Sequence, residues 1–352
     1  MKKIEHIYLE TDVRFVLALK CFSVWQVFDL MKKYMNGTTS SSLFEAKLGY
    51  EKFGKDTQIF STAYSDRDIA ELKKIADKVI FNSVAQFEKY REVLRSDSAK
   101  KGISLGIRIN PHISNSPFDL ADPARKYSRL GVSSIKELTP LVGRVDGAMF
   151  HYNCENESFE SFSKSLDFIS DKYGKFLQKV RWVSLGGGIS WSKDGYPIKK
   201  FCDKLKAFGE KFCVGVYLEP GEAAIAGAGE LVCSVLDIVK NVKKTAIVDA
   251  SVEPHMLDML IYRQNAKINE PAGQHEYIIG GRSCLAGDVF GTYKLKRELS
   301  VGSVVRFADA AGYTMVKKNW FNGLQMPSIV IKRLNGKVEV VREYDYKDFI
   351  NS

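Results

Sequence analysis

Reactive or glycine-rich positions follow short apolar runs at four places in the first 220 residues: Lys20, His151, the triplet at residues 186–188, and Glu219. A lysine amine can form a Schiff base with an aldehyde cofactor. Consecutive glycines let backbone N–H groups approach an anion closely. A carboxylate beside a pyridine nitrogen keeps that nitrogen protonated, and a flat imidazole can cover one face of the ring. These types together favour a site for a phosphorylated aldehyde that carries a pyridine ring.

Such residues can act together only if the fold gathers the ends of their strands. Eight short apolar runs succeed one another, and most alternate with amphipathic stretches of helix length. This alternation predicts an α/β fold, a (β/α)8 TIM barrel, whose chemistry sits at the C-terminal ends of the strands. The predicted strands cover residues 13–20, 36–40, 57–61, 78–82, 104–110, 147–151, 181–186 and 214–219.

The chain changes character after Glu219. Before it, helix patterns recur, several of them near a Ser or Asp that can cap the first free N–H groups. After Glu230, short β-rich runs follow one another between Asn-Gly and Gly-Gly pairs. We therefore predict a barrel domain over residues 1–227 and a C-terminal β-sandwich or β-barrel domain over 228–352. The helix patterns cover residues 24–35, 42–53, 68–77, 85–94, 161–174 and 198–212, and the later β runs 230–239, 244–251, 275–281, 303–310, 327–334 and 337–344.

Composition narrows the class of protein. The chain has 352 residues and a net charge of +10, yet its Lys and Arg residues are scattered over helix faces, which argues against nucleic-acid binding. It has no apolar run long enough to cross a membrane, so we expect no membrane association. Six cysteines without a CxxC pair suit a reducing cytoplasm. Five scattered histidines without an HxH or HExxH motif predict no metal site.

Each candidate also has a plain structural interpretation when taken alone. A lysine at a strand end is commonly a surface residue. Three glycines can form a tight turn, and a glutamate before Pro-Gly can be part of one. A histidine at a strand end can be a hydrogen-bonded core residue. Only the combination favours a cofactor site.

The combination resembles the fold-type III pyridoxal-phosphate decarboxylases, the ornithine and diaminopimelate decarboxylase superfamily, whose barrel is alanine racemase-like. The resemblance runs in chain order from about residue 4 to residue 340. Longer segments are similar to the branch of the superfamily that decarboxylates carboxylated triamines in polyamine biosynthesis. They are LALKCFSVW at 17–25, GTTSSSLFEAKLG at 37–49, FHYNCEN at 150–156, EPGEA at 219–223, SCLAGD at 283–288 and AGYTMVKKNWFNG at 311–323.

The resemblance assigns roles around pyridoxal 5'-phosphate. Lys20 would hold the cofactor covalently and yield it to the substrate amine. His151 would stack on the ring, and Glu219 would pair with the pyridine nitrogen. Arg108 matches a family arginine near the cofactor, although a surface role is equally consistent with its strand-end position. The phosphate would be bound by Gly186, Gly187, Gly188 and Tyr313.

The resemblance also implies a homodimer. Cys284 matches a cysteine that reaches across a dimer interface in relatives and protonates the substrate carbon after carbon dioxide departs. Asp249 and Asp288 would face the distal ammonium groups of the substrate, although either could be a turn residue. Glu222 stands where the amino-acid decarboxylases have an arginine that contacts the phosphate, and its negative charge suits a polyamine.

Alternatives stay open at this level. The chain could be a diaminopimelate or ornithine-type decarboxylase, or a non-catalytic homologue that binds a regulatory partner. Related racemases place a cation at the pyridine nitrogen, so Glu219 favours decarboxylation over racemisation. Relatives carry about one strand and half a helix before the segment that matches residue 4, which leads us to expect a β domain short of one strand.

Overall fold

The computed structural model describes residues 1–96 and 102–352. The chain divides into two compact units, Met1–Ala224 and Ile225–Ser352.

The first unit is a closed barrel of eight parallel strands in chain order, with β1 paired to β8. All eight strands lie within one residue of the runs predicted from the apolar pattern, so the predicted TIM barrel is confirmed. The strands are β1 Arg14–Ala18, β2 Gly37–Ser40, β3 Asp56–Phe60, β4 Lys78–Phe81, β5 Ser104–Arg108, β6 Gly147–Met149, β7 Trp182–Ser184 and β8 Gly215–Leu218.

Helices separate most of these strands. Ser65, Ser83 and Ser158 cap three of them, and each serine oxygen accepts a hydrogen bond from a backbone N–H in the first turn. The helices are α1 Lys2–Thr11, α2 Phe28–Met31, α3 Leu43–Leu48, α4 Asp66–Ile75, α5 Val84–Arg95, α6 Ile135–Leu138, α7 Phe159–Leu177, α8 Ile198–Phe212 and α9 Glu222–Ile225.

Two of the predicted helices are shorter than expected. Residues 24–35 form a 3₁₀ turn, Trp25–Val27, and then the short α2. Valine, tryptophan and phenylalanine at the start of this segment are weak helix formers. The helix expected over 42–53 ends at Leu48 and continues as one π-helical turn, Gly49–Phe53.

The barrel interior is filled from alternate positions of the strands. Its buried apolar cluster consists of Val16, Phe60, Ile80, Met149, Trp182 and Tyr217. The indole of Trp182 lies over Gly147, where an added Cβ would come within 2.1 Å of the ring. The small residue on β6 therefore makes room for the large one on β7.

The second unit contains a five-stranded sheet in the order β12-β11-β10-β9-β13 and a separate pair, β14-β15. The aromatic rings of Phe290 and Phe307 stack in its core with centroids 4.3 Å apart. Strand β12 was missing from the sequence prediction because Gly291 and Lys294 interrupt its apolar pattern. The strands are β9 Leu231–Lys240, β10 Lys244–Val248, β11 Ala272–Gly280, β12 Val289–Leu295, β13 Val304–Phe307, β14 Ile329–Lys332 and β15 Val338–Arg342; the helices are α10 Val252–His255, α11 Leu257–Tyr262 and α12 Tyr346–Ile350.

Candidate active site

A cavity of about 400 Å³ opens at the C-terminal ends of the barrel strands. Four residues singled out from the sequence line it: Lys20, Arg108, His151 and Glu219. Lys20 follows β1 by two residues, His151 follows β6 by two, and Glu219 directly follows β8. The barrel therefore brings together groups that are far apart in the chain.

The Lys20 side chain is accessible from the cavity rather than packed in the core. Protein atoms around the amine exclude much of the bulk water, and this desolvation lowers the pKa of Lys20 below its ordinary value. The nearby negative charge of Glu219 opposes the shift, and the positive charge of Arg108 adds to it. A lowered pKa increases the share of neutral amine, which is the nucleophilic form.

The Glu219 carboxyl group is buried, with 7% of the residue exposed. The Ser184 hydroxyl donates to its Oε1 atom at 2.5 Å, and the Thr39 hydroxyl donates to its Oε2 atom at 3.3 Å. Burial raises the pKa of Glu219, whereas the Ser184 hydrogen bond, the charge of Lys20 and the Thr39 hydrogen bond lower it. Burial thus disfavours the ionised form of Glu219, and the two hydroxyl donors stabilise it.

The glycine triplet lies against His151. The backbone N–H of Gly187 donates to the Nδ1 atom of His151 at 3.2 Å. Gly186 and Gly188 have φ angles of +70° and +78°, which side chains of L-residues rarely adopt. Burial lowers the pKa of His151 well below its usual value, and the charges of Lys20 and Arg108 lower it further. The imidazole is therefore neutral, with Nδ1 as an acceptor.

Arg108 is 4% exposed and lies at the end of β5. Its guanidinium donates to the carbonyl oxygen of His151 at 3.1 Å and lies 4.6 Å from the ring centre of Phe60. Burial lowers the pKa of Arg108 to about 10, so the group remains a cation at neutral pH. Arg108 is therefore buried, whereas the alternative interpretation of its strand-end position was a surface residue.

Sequence reasoning did not single out several residues of this site, among them Thr39, Phe60 and Ser184. Phe60 lines the cavity, and both hydroxyl residues bind Glu219. Strand alternation was the available signal for Ser184, because residues two apart on a strand face the same side and Gly186 follows it by two.

Glu222 begins α9 and is exposed. The Cys154 thiol lies in the loop after β6, where the charges of Glu155, Glu222 and Lys20 influence its pKa. Burial raises the pKa of Cys154, the two glutamates raise it further, and Lys20 lowers it. Glu222 and Lys20 thus both lie near one thiol of the barrel unit.

Four predicted site residues belong to the second unit. Cys284 is exposed, and its backbone N–H donates to Oδ1 of Asn322 at 2.7 Å. Tyr313 is half-buried, adopts a φ of +51°, and has the Lys317 ammonium 5.0 Å from its ring centre.

The two aspartates differ in their surroundings. Asp249 is exposed, and its Oδ1 atom accepts from the Ser234 backbone at 2.9 Å. Asp288 is 5% exposed and accepts from the Val252 N–H and from the N–H and hydroxyl of Ser283. These bonds connect Asp288 to Ser283 in its own loop and to Val252 at the start of α10. Its contact with substrate stays a prediction.

Two further observations concern the whole described chain. Over residues 1–96 and 102–352, no helix is both long enough and apolar enough to span a membrane. All six cysteines lie in these segments, and none of them forms a disulfide bond there.

Comparison with known proteins gives one family and several close relatives. Residues 27–311 match the family model described as pyridoxal-dependent decarboxylase, C-terminal sheet domain. The chain is 47% identical to a carboxynorspermidine/carboxyspermidine decarboxylase of Herminiimonas arsenicoxydans over 100% of this chain and 95% of the relative. It is 34% identical to a protein of the same name from Campylobacter jejuni, over 97% of this chain and 91% of the relative.

A solved structure agrees with these relatives. The crystal structure of carboxynorspermidine decarboxylase from Campylobacter jejuni, complexed with norspermidine, superposes with a TM-score of 0.89 at 31% identity. The superposition covers 99% of this chain and 94% of that one.

Proposed function

The chain belongs to the pyridoxal-dependent decarboxylase family, and from that premise we propose that it decarboxylates carboxynorspermidine and carboxyspermidine to norspermidine and spermidine. The observation that carries the proposal is the meeting of the Lys20 amine, the Glu219 carboxyl group and the His151 ring in one cavity. Full-length relatives named for this activity supply the substrate class.

The residues of the barrel fit pyridoxal 5'-phosphate. Gly186 and Gly188 adopt left-handed φ angles, and a Cβ at either position would collide with His151 or with the Asn153 backbone, so this tight turn requires glycine. The Gly186 and Gly187 N–H groups donate to Ser184 and His151, so a phosphate bound at this turn would share or replace those bonds. Glu219 offers a buried acid to a pyridine nitrogen. When bound, the cofactor supplies an electron sink for the pair of electrons left by the departing carboxylate.

Each side chain then has one task. The neutral amine of Lys20 attaches the cofactor and releases it to the substrate amine. Ionised Glu219 keeps the ring nitrogen protonated. The neutral ring of His151, held by the Gly187 N–H, covers one face of the cofactor. Arg108 adds a buried positive charge beside His151, and Tyr313 adds a hydroxyl donor for the phosphate.

We further propose a homodimer in which Cys284 of one subunit serves the active site of the other and gives a proton to the α-carbon after carbon dioxide leaves. The exposure of Cys284, and the Asn322 side chain that holds its backbone, support such a role. Asp249 and Glu222 are exposed carboxylates suited to the ammonium groups of a triamine. Thiols without disulfides support a reducing compartment such as the cytoplasm.

The test is carbon dioxide release by the purified protein with pyridoxal 5'-phosphate on four substrates: carboxynorspermidine, carboxyspermidine, diaminopimelate and ornithine. We expect kcat/KM to be higher for the two carboxytriamines. Higher values for diaminopimelate or ornithine would assign the chain to an amino-acid decarboxylase instead. Absence of turnover on all four, with the Lys20→Ala variant as the blank, would favour a non-catalytic homologue.

A further inference from the structure

We propose that Ser184 is a positioning residue that orients the Glu219 carboxylate towards the ring nitrogen of the cofactor and joins it to the glycine triplet. The inference rests on the proposed function, because it concerns the same cofactor. It assigns a role to a residue that does not line the cavity and that the sequence motifs did not single out.

Ser184 is the last residue of β7 and is fully buried. Its hydroxyl donates to Oε1 of Glu219 at 2.5 Å and accepts from the backbone N–H of Gly186 at 3.1 Å. The Gly186 N–H can only donate, and an ionised carboxylate can only accept. The single hydroxyl proton of Ser184 is therefore directed at Glu219.

This direction matters because Glu219 has little water around it. A buried acid tends to protonate, and a protonated acid cannot keep a pyridine nitrogen charged. The groups that face Glu219 are the Ser184 and Thr39 hydroxyls and the charges of Lys20 and Arg108. Of the two hydroxyl bonds, the one from Ser184 is shorter by a wide margin.

Ser184 also connects the two ends of the cofactor site. The backbone N–H of Glu219 donates to the carbonyl oxygen of Gly186 at 2.9 Å, next to the hydrogen bond between Ser184 and the Gly186 N–H. Gly186 is thus tied to Glu219 twice, once through the backbone and once through the serine. The acid for the ring nitrogen and the loop for the phosphate are held at a fixed separation.

The experiment compares two ligands with the apoprotein: pyridoxal 5'-phosphate and its carbon analogue, in which C–H replaces the ring nitrogen. Dissociation constants are measured for the wild type, Ser184→Ala and Thr39→Val. The free energy of a hydrogen bond to a charged group corresponds to a change of about 10- to 100-fold in a dissociation constant. We expect Ser184→Ala to weaken binding of pyridoxal 5'-phosphate by that factor and binding of the carbon analogue by much less.

Thr39→Val is the matched control, because it removes the longer hydroxyl bond to the same carboxylate without touching Gly186. We expect a smaller loss for pyridoxal 5'-phosphate than in Ser184→Ala. Ser184→Cys, which keeps a weaker donor in nearly the same volume, should give an intermediate loss and also guards against misfolding of the alanine variant.

Equal losses for both ligands in Ser184→Ala would mean that the serine only packs, and would overturn the inference. So would unchanged binding of pyridoxal 5'-phosphate. Either result leaves the proposed function intact as long as the wild type binds pyridoxal 5'-phosphate. Failure of the wild type to bind it would overturn the proposed function together with the inference.

Discussion

Gly186 and His151 are in such close contact that a Cβ built on the glycine would lie 2.3 Å from the Nδ1 atom of the imidazole. The neighbouring Gly187 N–H donates to that same atom. The position of the His151 ring therefore depends on a bare backbone at residue 186.

The first prediction is that Gly186→Ala lowers affinity for pyridoxal 5'-phosphate by at least tenfold, because the new methyl group displaces His151. Gly195→Ala is the matched control: its φ is +79°, with no atom within 4 Å of the added Cβ. Both variants carry the backbone penalty of about 1 to 2 kcal/mol. Equilibrium titration of the cofactor and thermal melting separate the two effects.

The expected result is a loss of cofactor affinity in Gly186→Ala alone, with a melting temperature below that of Gly195→Ala because the His151 ring has to move. Equal cofactor affinity in the two variants would contradict the proposed role of the His151 ring.

The second prediction is that Lys20→Ala abolishes covalent attachment of the cofactor and decarboxylation. The amine is the nucleophile we assign, and no other lysine lines the cavity among the described residues. Intact-mass spectrometry after borohydride reduction measures the attachment. Lys74→Ala, an exposed lysine on α4, should keep the full mass increase. A mass increase in Lys20→Ala would show that another amine holds the cofactor.

The third prediction concerns the proposed dimer. Cys284→Ala should retain covalent cofactor but lose most turnover, because the proton donor to the α-carbon is missing. Mixed with Lys20→Ala subunits, it should regain activity: one site of each mixed dimer then has both Lys20 and Cys284. Random mixing predicts recovery of about a quarter of the wild-type rate. No recovery after verified subunit exchange would place Cys284 within its own subunit's site.

The fourth prediction is a pH dependence of stability in the second unit. His255 is 5% exposed, and its Nδ1 atom accepts from the Ser251 N–H at 3.1 Å. Burial lowers the pKa of His255 to about 4; the Asp288 charge opposes this shift and the Lys318 charge adds to it. The unfolded chain binds the proton more readily, so this contribution to stability is complete above pH 6.5 and is lost as the pH falls towards 4.

The loss would reach roughly 3 kcal/mol at the acid end. Melting temperatures from pH 4.5 to 7.5 measure it. His255→Asn keeps an acceptor for the Ser251 N–H but does not titrate, so its melting temperature should fall less between pH 6.5 and 4.5. An unchanged slope in this variant would exclude His255 as the cause.

The barrel could be predicted from sequence because each strand is a short apolar run and most of these runs alternate with amphipathic stretches of helix length, as a (β/α)8 barrel requires. The placement of Lys20, His151 and Glu219 at one rim followed from that. Strand β12 could not be predicted, since Gly291 removes a side chain from the middle of its pattern. The length of the helix over residues 24–35 was overestimated because valine, tryptophan and phenylalanine, which are weak helix formers, occupy its first positions.

Side-chain partners were harder to predict than the fold. Thr39 meets Glu219 only because β2 and β8 both flank β1, and this neighbour relation depends on barrel closure. Pro123 and Leu130 line the cavity from an irregular segment between β5 and β6, where no periodic pattern exists to read. Neither the pairing of distant strands nor the path of an irregular loop produces a periodic pattern in the local sequence.

Closure of the barrel also determines when, during synthesis of the chain, its first and last strands can pair. Strand β1, which leads to Lys20, pairs with β8, which leads to Glu219, although about 200 residues separate them. On the ribosome Lys20 is translated well before Glu219, which follows only when nearly the whole barrel has been synthesised. At ordinary elongation rates this takes roughly 10 to 40 seconds. The rim that brings Lys20, His151 and Glu219 together is complete only when β8 has been translated, so we expect the proposed cofactor site to form after that point.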